Sequence, residues 1–192
     1  MSTRKKTVLR TIRLPQEMDR QLQEDAEANG MTVNGLMNRI LRKYIKWDTH
    51  IEKLKFVSIT NETLKFLLEA CSDNEIERIA TDIGCKTIES ITLFWFHKLN
   101  LETALKTASI YGRYSGLLTS EIKVDEGNYT IIFHHELGDK WSLFLKCAIN
   151  QFVKTTLGIV PQIQISNNVV LVSFHSPLSR GKNLHYLKSA DS

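Results

Sequence analysis

Cysteine is scarce in this chain and unpaired in spacing. Cys71, Cys85 and Cys147 are odd in number, and no two stand in a CxxC arrangement. They are therefore expected as buried thiols, outside any redox or metal centre. Proline and glycine are also few, at three and nine in 192 residues, which argues against long unstructured stretches. Long apolar runs are missing too: no window approaches the roughly 18 residues that a membrane span needs. The basic start, Met1 to Lys6, has no apolar segment behind it and does not read as a signal peptide. The expected location is the cytoplasm, at the nucleoid.

Catalytic signatures are missing as well. No glycine-rich phosphate loop, GxSxG elbow or HExxH helix occurs. The six histidines (His50, His97, His134, His135, His175, His185) show no HxH or HxxxH ligand spacing. His134 and His135 are adjacent at the end of an expected strand, so they point to opposite faces, and His134 is expected to serve the start of the helix that follows. No metal, no cofactor and no enzymatic activity are expected.

What is present is an uneven charge. The net charge is +4, but residues 1–47 hold ten Lys/Arg against five acids and net +5, so the remaining 145 residues net −1. A basic quarter on a near-neutral chain points to a nucleic acid or a membrane surface as its partner.

That quarter has a readable pattern. Residues 8–14, Val-Leu-Arg-Thr-Ile-Arg-Leu, are β-branched and aliphatic and end at Pro15, which predicts a short strand. Alternation places Arg10, Ile12 and Leu14 on an inner face and Leu9, Thr11 and Arg13 on an outer one. Pro15 opens a helix with Glu17 and Asp19 in its first turn and an inner stripe of Met18, Leu22 and Ala26. Gly30 suits a left-handed cap. A second helix is expected from Thr32 to Lys46, with Thr32 as N-cap and Val33, Met37, Ile40, Leu41 and Tyr44 on one face. Gly35, in its first turn, costs roughly 1 kcal/mol of helix propensity relative to alanine. A lone strand has no partner within this segment, and about 47 residues approach the size below which chains seldom fold alone. Pairing two copies removes both difficulties, since two strands form an antiparallel ribbon, which fits a DNA major groove.

The order strand, helix, short loop, helix, together with Leu9-Arg-Thr-Ile-Arg-Leu-Pro15, Ala26-Glu-Ala-Asn-Gly30 and Thr32-Val-Asn34, resembles the prokaryotic ribbon-helix-helix repressors, above all their Arc-like members. The likeness covers about 40 residues. It implies an obligate dimer that binds double-stranded DNA. By position, the resemblance makes Leu9, Thr11 and Arg13 the base readers. It makes the backbone at Thr32, Val33 and Asn34 a phosphate clamp, and Lys5 and Lys6 further phosphate contacts. Two departures stand out: Leu9 replaces a usual polar reader, and Arg10 replaces a usual apolar inner residue.

Residues 48–176 are expected as an α+β domain, and 177–192 as a flexible tail. Trp47 to Glu52 is a linker or a helix continuation. Leu54 to Ile59 reads as a strand. A helix capped by Thr60 or Asn61 runs to Cys71, and another capped by Asp73 or Asn74 ends at Gly84. Residues 89–97 suit a buried strand or helix, 101–111 a helix, and Gly112 to Gly116 a break. Strands at 118–124 and 129–135, a helix at 137–157, and strands at 162–166 and 169–174 around Asn167-Asn168 predict an antiparallel ββαββ sheet with a helix on one face. The aromatic residues Phe94, Trp95, Phe96, Trp141, Phe144 and Phe152 are core or line an apolar pocket.

The fold class is therefore α+β: a dimeric ribbon-helix-helix module followed by a domain that senses a small-molecule effector or sets the oligomer. The layout is similar to the nickel-responsive members of the same superfamily. The expected function is a sequence-specific transcription regulator, by default a repressor, acting as a homodimer or a dimer of dimers. The alternatives are an antitoxin, an architectural nucleoid or partition protein, and an enzyme for which no site is visible.

Overall fold

The computed structural model describes residues 7–177. The chain divides between Thr49 and His50 into two compact units. The flexible tail expected at 177–192 lies outside the described residues from 178 onward.

In the first unit, residues 7–14 have no regular secondary structure. The expectation of a strand at 8–14 is thus not met in the single chain, because a strand is defined by a hydrogen-bonded partner and none is present. Helix α1, Gln16–Ala28, follows Pro15 and carries Glu17 and Asp19 in its first turn. It ends in a Schellman closure: Gly30 N–H donates to the Glu27 carbonyl (3.0 Å) and Met31 N–H to that of Ala26 (2.9 Å), with Gly30 at φ +62°. Helix α2, Val33–Lys43, is capped by Thr32, whose Oγ1 accepts from Gly35 N–H at 3.1 Å. Ala26 and Leu36 are buried, whereas Ile40, Leu41 and Tyr44 are exposed. Leu36 takes the inward place that the spacing rule did not assign.

The helix does not stop at Lys46. It widens into a π turn, Tyr44–Asp48, and runs on as α3, Thr49–Leu54, so Trp47 to Glu52 is a continuation. The strand expected at 54–59 is absent. Leu54 ends α3, Lys55 adopts φ +54°, and Phe56, Val57 and Ile59 stay exposed with no strand beside them.

In the second unit, α4, Asn61–Glu69, is capped by Thr60, and α5, Asp73–Ile79, by Ser72, in a capping box with Glu75. Ser72, one residue before the expected caps, wins because Glu75 at the third helical position can answer its backbone. Gly84 does not end this helix. A π turn, Ala80–Gly84, leads directly into α6, Cys85–Phe96. Glycine stops a helix by entering the left-handed region, and Gly84 instead stays helical at φ −59°. Residues 89–96 are accordingly helix, not strand. Helix α7, Leu101–Tyr114, is capped by Asn100. Gly112 lies inside it, not at a break: a β-carbon there would meet Ser120 Cβ and backbone N at 2.8 Å, so the missing side chain lets α7 lie against the next strand.

The sheet follows the expected pattern. Strands β1 (Thr119–Asp125) and β2 (Asn128–His134) form a hairpin. Helix α8, Asp139–Leu157, follows, and β3 (Gln162–Ser166) and β4 (Val169–His175) form a second hairpin. The spatial order is β1-β2-β4-β3, antiparallel throughout. Cross-strand pairs Tyr129–Phe174, Ile131–Val172 and Phe133–Val170 are all buried, and they line one face beneath Trp141, Leu145 and Leu105.

Candidate functional site

The first unit places its expected readers in the open. Leu9 is 91% exposed, and Thr11 and Arg13 are exposed too. Along the same segment Val8 and Ile12 are exposed apolar side chains, and only Leu14 is half-buried. Thr32, Val33 and Asn34 sit where expected, at the start of α2. The Thr32 hydroxyl answers only Gly35, and first-turn donors such as Val33 and Asn34 N–H have no acceptor within their own helix. Such a start, with its positive dipole end, suits a phosphate oxygen. Gly35 has a local reason as well: a β-carbon there would come within 3.3 Å of the capping Thr32 Oγ1. Lys5 and Lys6 lie outside the described residues.

The second unit holds a different feature. A cavity of about 360 Å³ lies between the sheet and helices α6, α7 and α8, lined by residues that include Ile88, Leu105, Ala108, Tyr111, Phe133, Trp141, Phe152 and Phe174. Its origin is compositional. Gly84, Ala104, Ala108 and Ala148 all line it, and larger residues at these places would fill it. Of the aromatic residues expected here, Trp141, Phe144 and Phe152 line the cavity. Phe94, Trp95 and Phe96 do not; Phe94 and Trp95 meet the His50 ring edge-on instead, at 5.8 and 6.1 Å. Tyr111, Phe133 and Phe174 line it as well without having been singled out; alternation along the two strands is the signal that could have found the last two. No Asp, Glu, Lys, Arg or His lines the cavity. Two of its walls carry a buried polar atom with no hydrogen-bond partner: Thr107 Oγ1 and Trp141 Nε1.

No family model, curated protein or solved structure matches this chain. The function must be argued from the residues alone.

The histidines divide by burial. His134 is exposed, with Nε2 at 3.6 Å from Glu121. His135, not His134, serves the segment before α8: its Nδ1 accepts Leu137 N–H at 3.3 Å, which leaves the proton on Nε2. Nε2–H then donates to Ser142 Oγ at 2.9 Å, and Ser142 donates to the Ser166 carbonyl at 2.7 Å. Such a His cannot take a proton from Ser142, so the pair ties the β2–α8 connection to the β3–β4 turn and is not poised for nucleophilic attack. Burial, with His134 beside it, pushes the His135 pKa down. Among the described residues no cluster of three His, Cys, Asp or Glu side chains could hold a metal. Cys85 is buried as expected, with its pKa pushed up by burial; Cys71 and Cys147 are only half-buried. No helix of the described residues is long and apolar enough to cross a membrane.

Proposed function

We propose that this protein is a sequence-specific DNA-binding transcription regulator, by default a repressor, that works as a homodimer or a dimer of dimers. The observation that carries the reading is the state of residues 7–14. They hold no regular secondary structure, mix aliphatic with polar side chains, and are exposed apart from the half-buried Leu14. Two copies joined as an antiparallel ribbon pair those backbones, bury Ile12 and Leu14, and turn Leu9, Thr11 and Arg13 outward. Arg13 then donates two hydrogen bonds to a guanine, Thr11 contacts a base, and Leu9 meets a thymine methyl. The N-terminus of α2 and the lysines at 5 and 6 hold phosphates.

An antitoxin, the nearest alternative, draws no support from a second unit that carries its own apolar core. The test is selection of full-length protein against a random DNA pool near physiological salt. A two-fold or tandem motif is expected, and binding without enrichment points to an architectural protein instead. On the selected site Arg13→Ala should lose about 1–3 kcal/mol and relax one base position. Lys6→Ala should weaken all sequences evenly and flatten the salt dependence. Wild-type binding by both variants rejects the ribbon.

A further inference from the structure

The sheet of the second unit has two edges, β1 and β3, and they are built differently. An edge strand offers a row of unpaired backbone groups, which proteins guard with charge, proline, bulges or a covering element. β1 is guarded. It carries Glu121, Lys123 and Asp125, and α7 lies against it, with Ser120 Oγ donating to the Ala108 carbonyl at 3.1 Å. β3 carries no such charge, proline or bulge. It reads Gln-Ile-Gln-Ile-Ser from Gln162 to Ser166 and pairs with β4 residue for residue. Between Lys154 and Arg180 the chain has no Asp, Glu, Lys or Arg at all. Gln162, Gln164, Ile165 and Ser166 are exposed, and Val160 just before the strand is 78% exposed.

The register says what this edge can accept. The two-residue turn at Asn167-Asn168 makes Ser166 and Val169 a hydrogen-bonded pair. Alternation then sends the backbone groups of Gln162, Gln164 and Ser166 to β4 and those of Ile163 and Ile165 outward. Ile163 and Ile165 stand opposite Val172 and Val170, both fully buried, so their side chains lie on the core side of the sheet. Gln162, Gln164 and Ser166 lie on the other side. The polar and apolar residues of this strand alternate identically in both directions. An antiparallel copy of β3, turned about Gln164, therefore matches it at every position. Ile163 meets Ile165 of the second copy, Gln162 meets Ser166, and Gln164 meets itself, while each outward N–H and C=O of the isoleucines finds a partner.

We propose that β3 pairs edge to edge with β3 of a second copy of this chain, joining the two sheets into one continuous antiparallel sheet. Ile165, 40% exposed in the single chain, is covered by the contact. A five-residue edge falls short of the roughly 1,000 Å² of a stable interface, so the pairing is weak between free molecules and gains where copies are already held together. Dimers on neighbouring DNA half-sites are such a case. That consequence alone rests on the proposed function, and the edge contact does not.

The test is disulfide trapping of the full-length protein without DNA. Gln164→Cys and Gln162→Cys each place one thiol at an exposed position of the strand. In the proposed register residue 164 lies about 4.5 Å from its own copy, Cα to Cα, within disulfide reach. Residue 162 lies at least about 13 Å from its own copy, four residues further along, and out of reach. Under mild oxidation Gln164→Cys is expected to form its linked dimer about tenfold faster than Gln162→Cys does. Mass spectrometry of the linked peptides separates these products from links through Cys71 or Cys147. A mixture of Gln162→Cys and Ser166→Cys proteins should join 162 to 166. Ile165→Lys sets like charges near one another across the axis and should abolish the 164 link, with circular dichroism unchanged. Equal trapping at 164 and 162, or trapping at neither, overturns the proposal, as does a 164 link that survives Ile165→Lys. A 164 link in a protein that selects no DNA motif rejects the regulator and leaves the edge contact standing.

Discussion

Val170 and Val172 in the second unit have no exposed surface at all, whereas in the first unit Leu9, Val8, Ile12, Leu41 and Ile45 each leave more than half of theirs open. The contrast is one of self-sufficiency. Four strands and several helices bury a core within one chain in the second unit, although Val57, Phe66 and Val160 stay open there as well. The first unit has two helices and an N-terminal arm, and it cannot cover its own apolar side chains. Surface of that kind on so small a module is what the proposed dimer would cover. The lesson is that exposure weighs differently in the two units: the first has little core without a partner, and the second has a core of its own.

The sharpest way to break this comparison is to place a charge on the open face of the first unit. Leu41 is 52% exposed in the single chain, so Leu41→Asp costs little there. If the face is a dimer interface, the variant should be monomeric by light scattering, lose DNA binding at least a hundredfold, and keep the near-ultraviolet dichroism of the second unit. An unchanged mass would refute the comparison.

The converse substitution belongs in the second unit. Ile76 is 1% exposed and lies outside the cavity lining. Ile76→Ala should remove about 2–5 kcal/mol of stability, at a denaturation midpoint that does not move with protein concentration.

A smaller effect separates the units by mechanism. Thr32 and Ser72 both cap a helix through a hydroxyl that accepts from the third helical N–H, and Ser72 adds a return bond from Glu75. Replacing either by alanine should cost about 1 kcal/mol. If the first unit folds only on association, as the proposed dimer requires, the loss for Thr32→Ala should depend on concentration; for Ser72→Ala it should not.

Acid gives the mildest contrast. Residues 1–49 contain no histidine, while the second unit buries His135 in its neutral form. Its pKa in the fold lies below the ordinary value, so as the pH falls through about 6.5 the unfolded chain takes up a proton before the folded one does. Stability of the second unit is therefore full above that pH and declines below it, with the decline ending once the folded form is also protonated. Melting of full-length protein between pH 7.5 and 5 should show the loss in the transition of the second unit. A loss that persists in His135→Gln would place the sensitive group elsewhere, at His50 for instance, whose pKa burial also lowers.

Much of the second unit was legible from local signals. The two hairpins, the long helix stopped by Gly158 and the sheet face all follow from alternation, turn residues and a glycine at positive φ. The readers on the N-terminal arm were placed by the same alternation together with the family resemblance. Among the readings that went astray, three have a non-local reason. Leu54 to Ile59 has strand composition, but no strand lies beside it to complete a ladder. Gly84 has the composition of a stop, but it is packed so that a β-carbon would come within 2.9 Å of Ala148 Cβ, and it remains helical. The aromatic residues were grouped by sequence, and only half of them face the cavity.

Periodicity, caps and turn chemistry are carried by residues within a few positions of one another, so the sequence alone was enough to set the α+β class, the two hairpins and the basic charge of the first 47 residues. A cavity is the difference between the volume that distant elements enclose and the volume that their side chains fill. Only the tertiary structure could bring Ala104, Ala108 and Ala148 together around one space and leave Thr107 and Trp141 unpartnered on its wall.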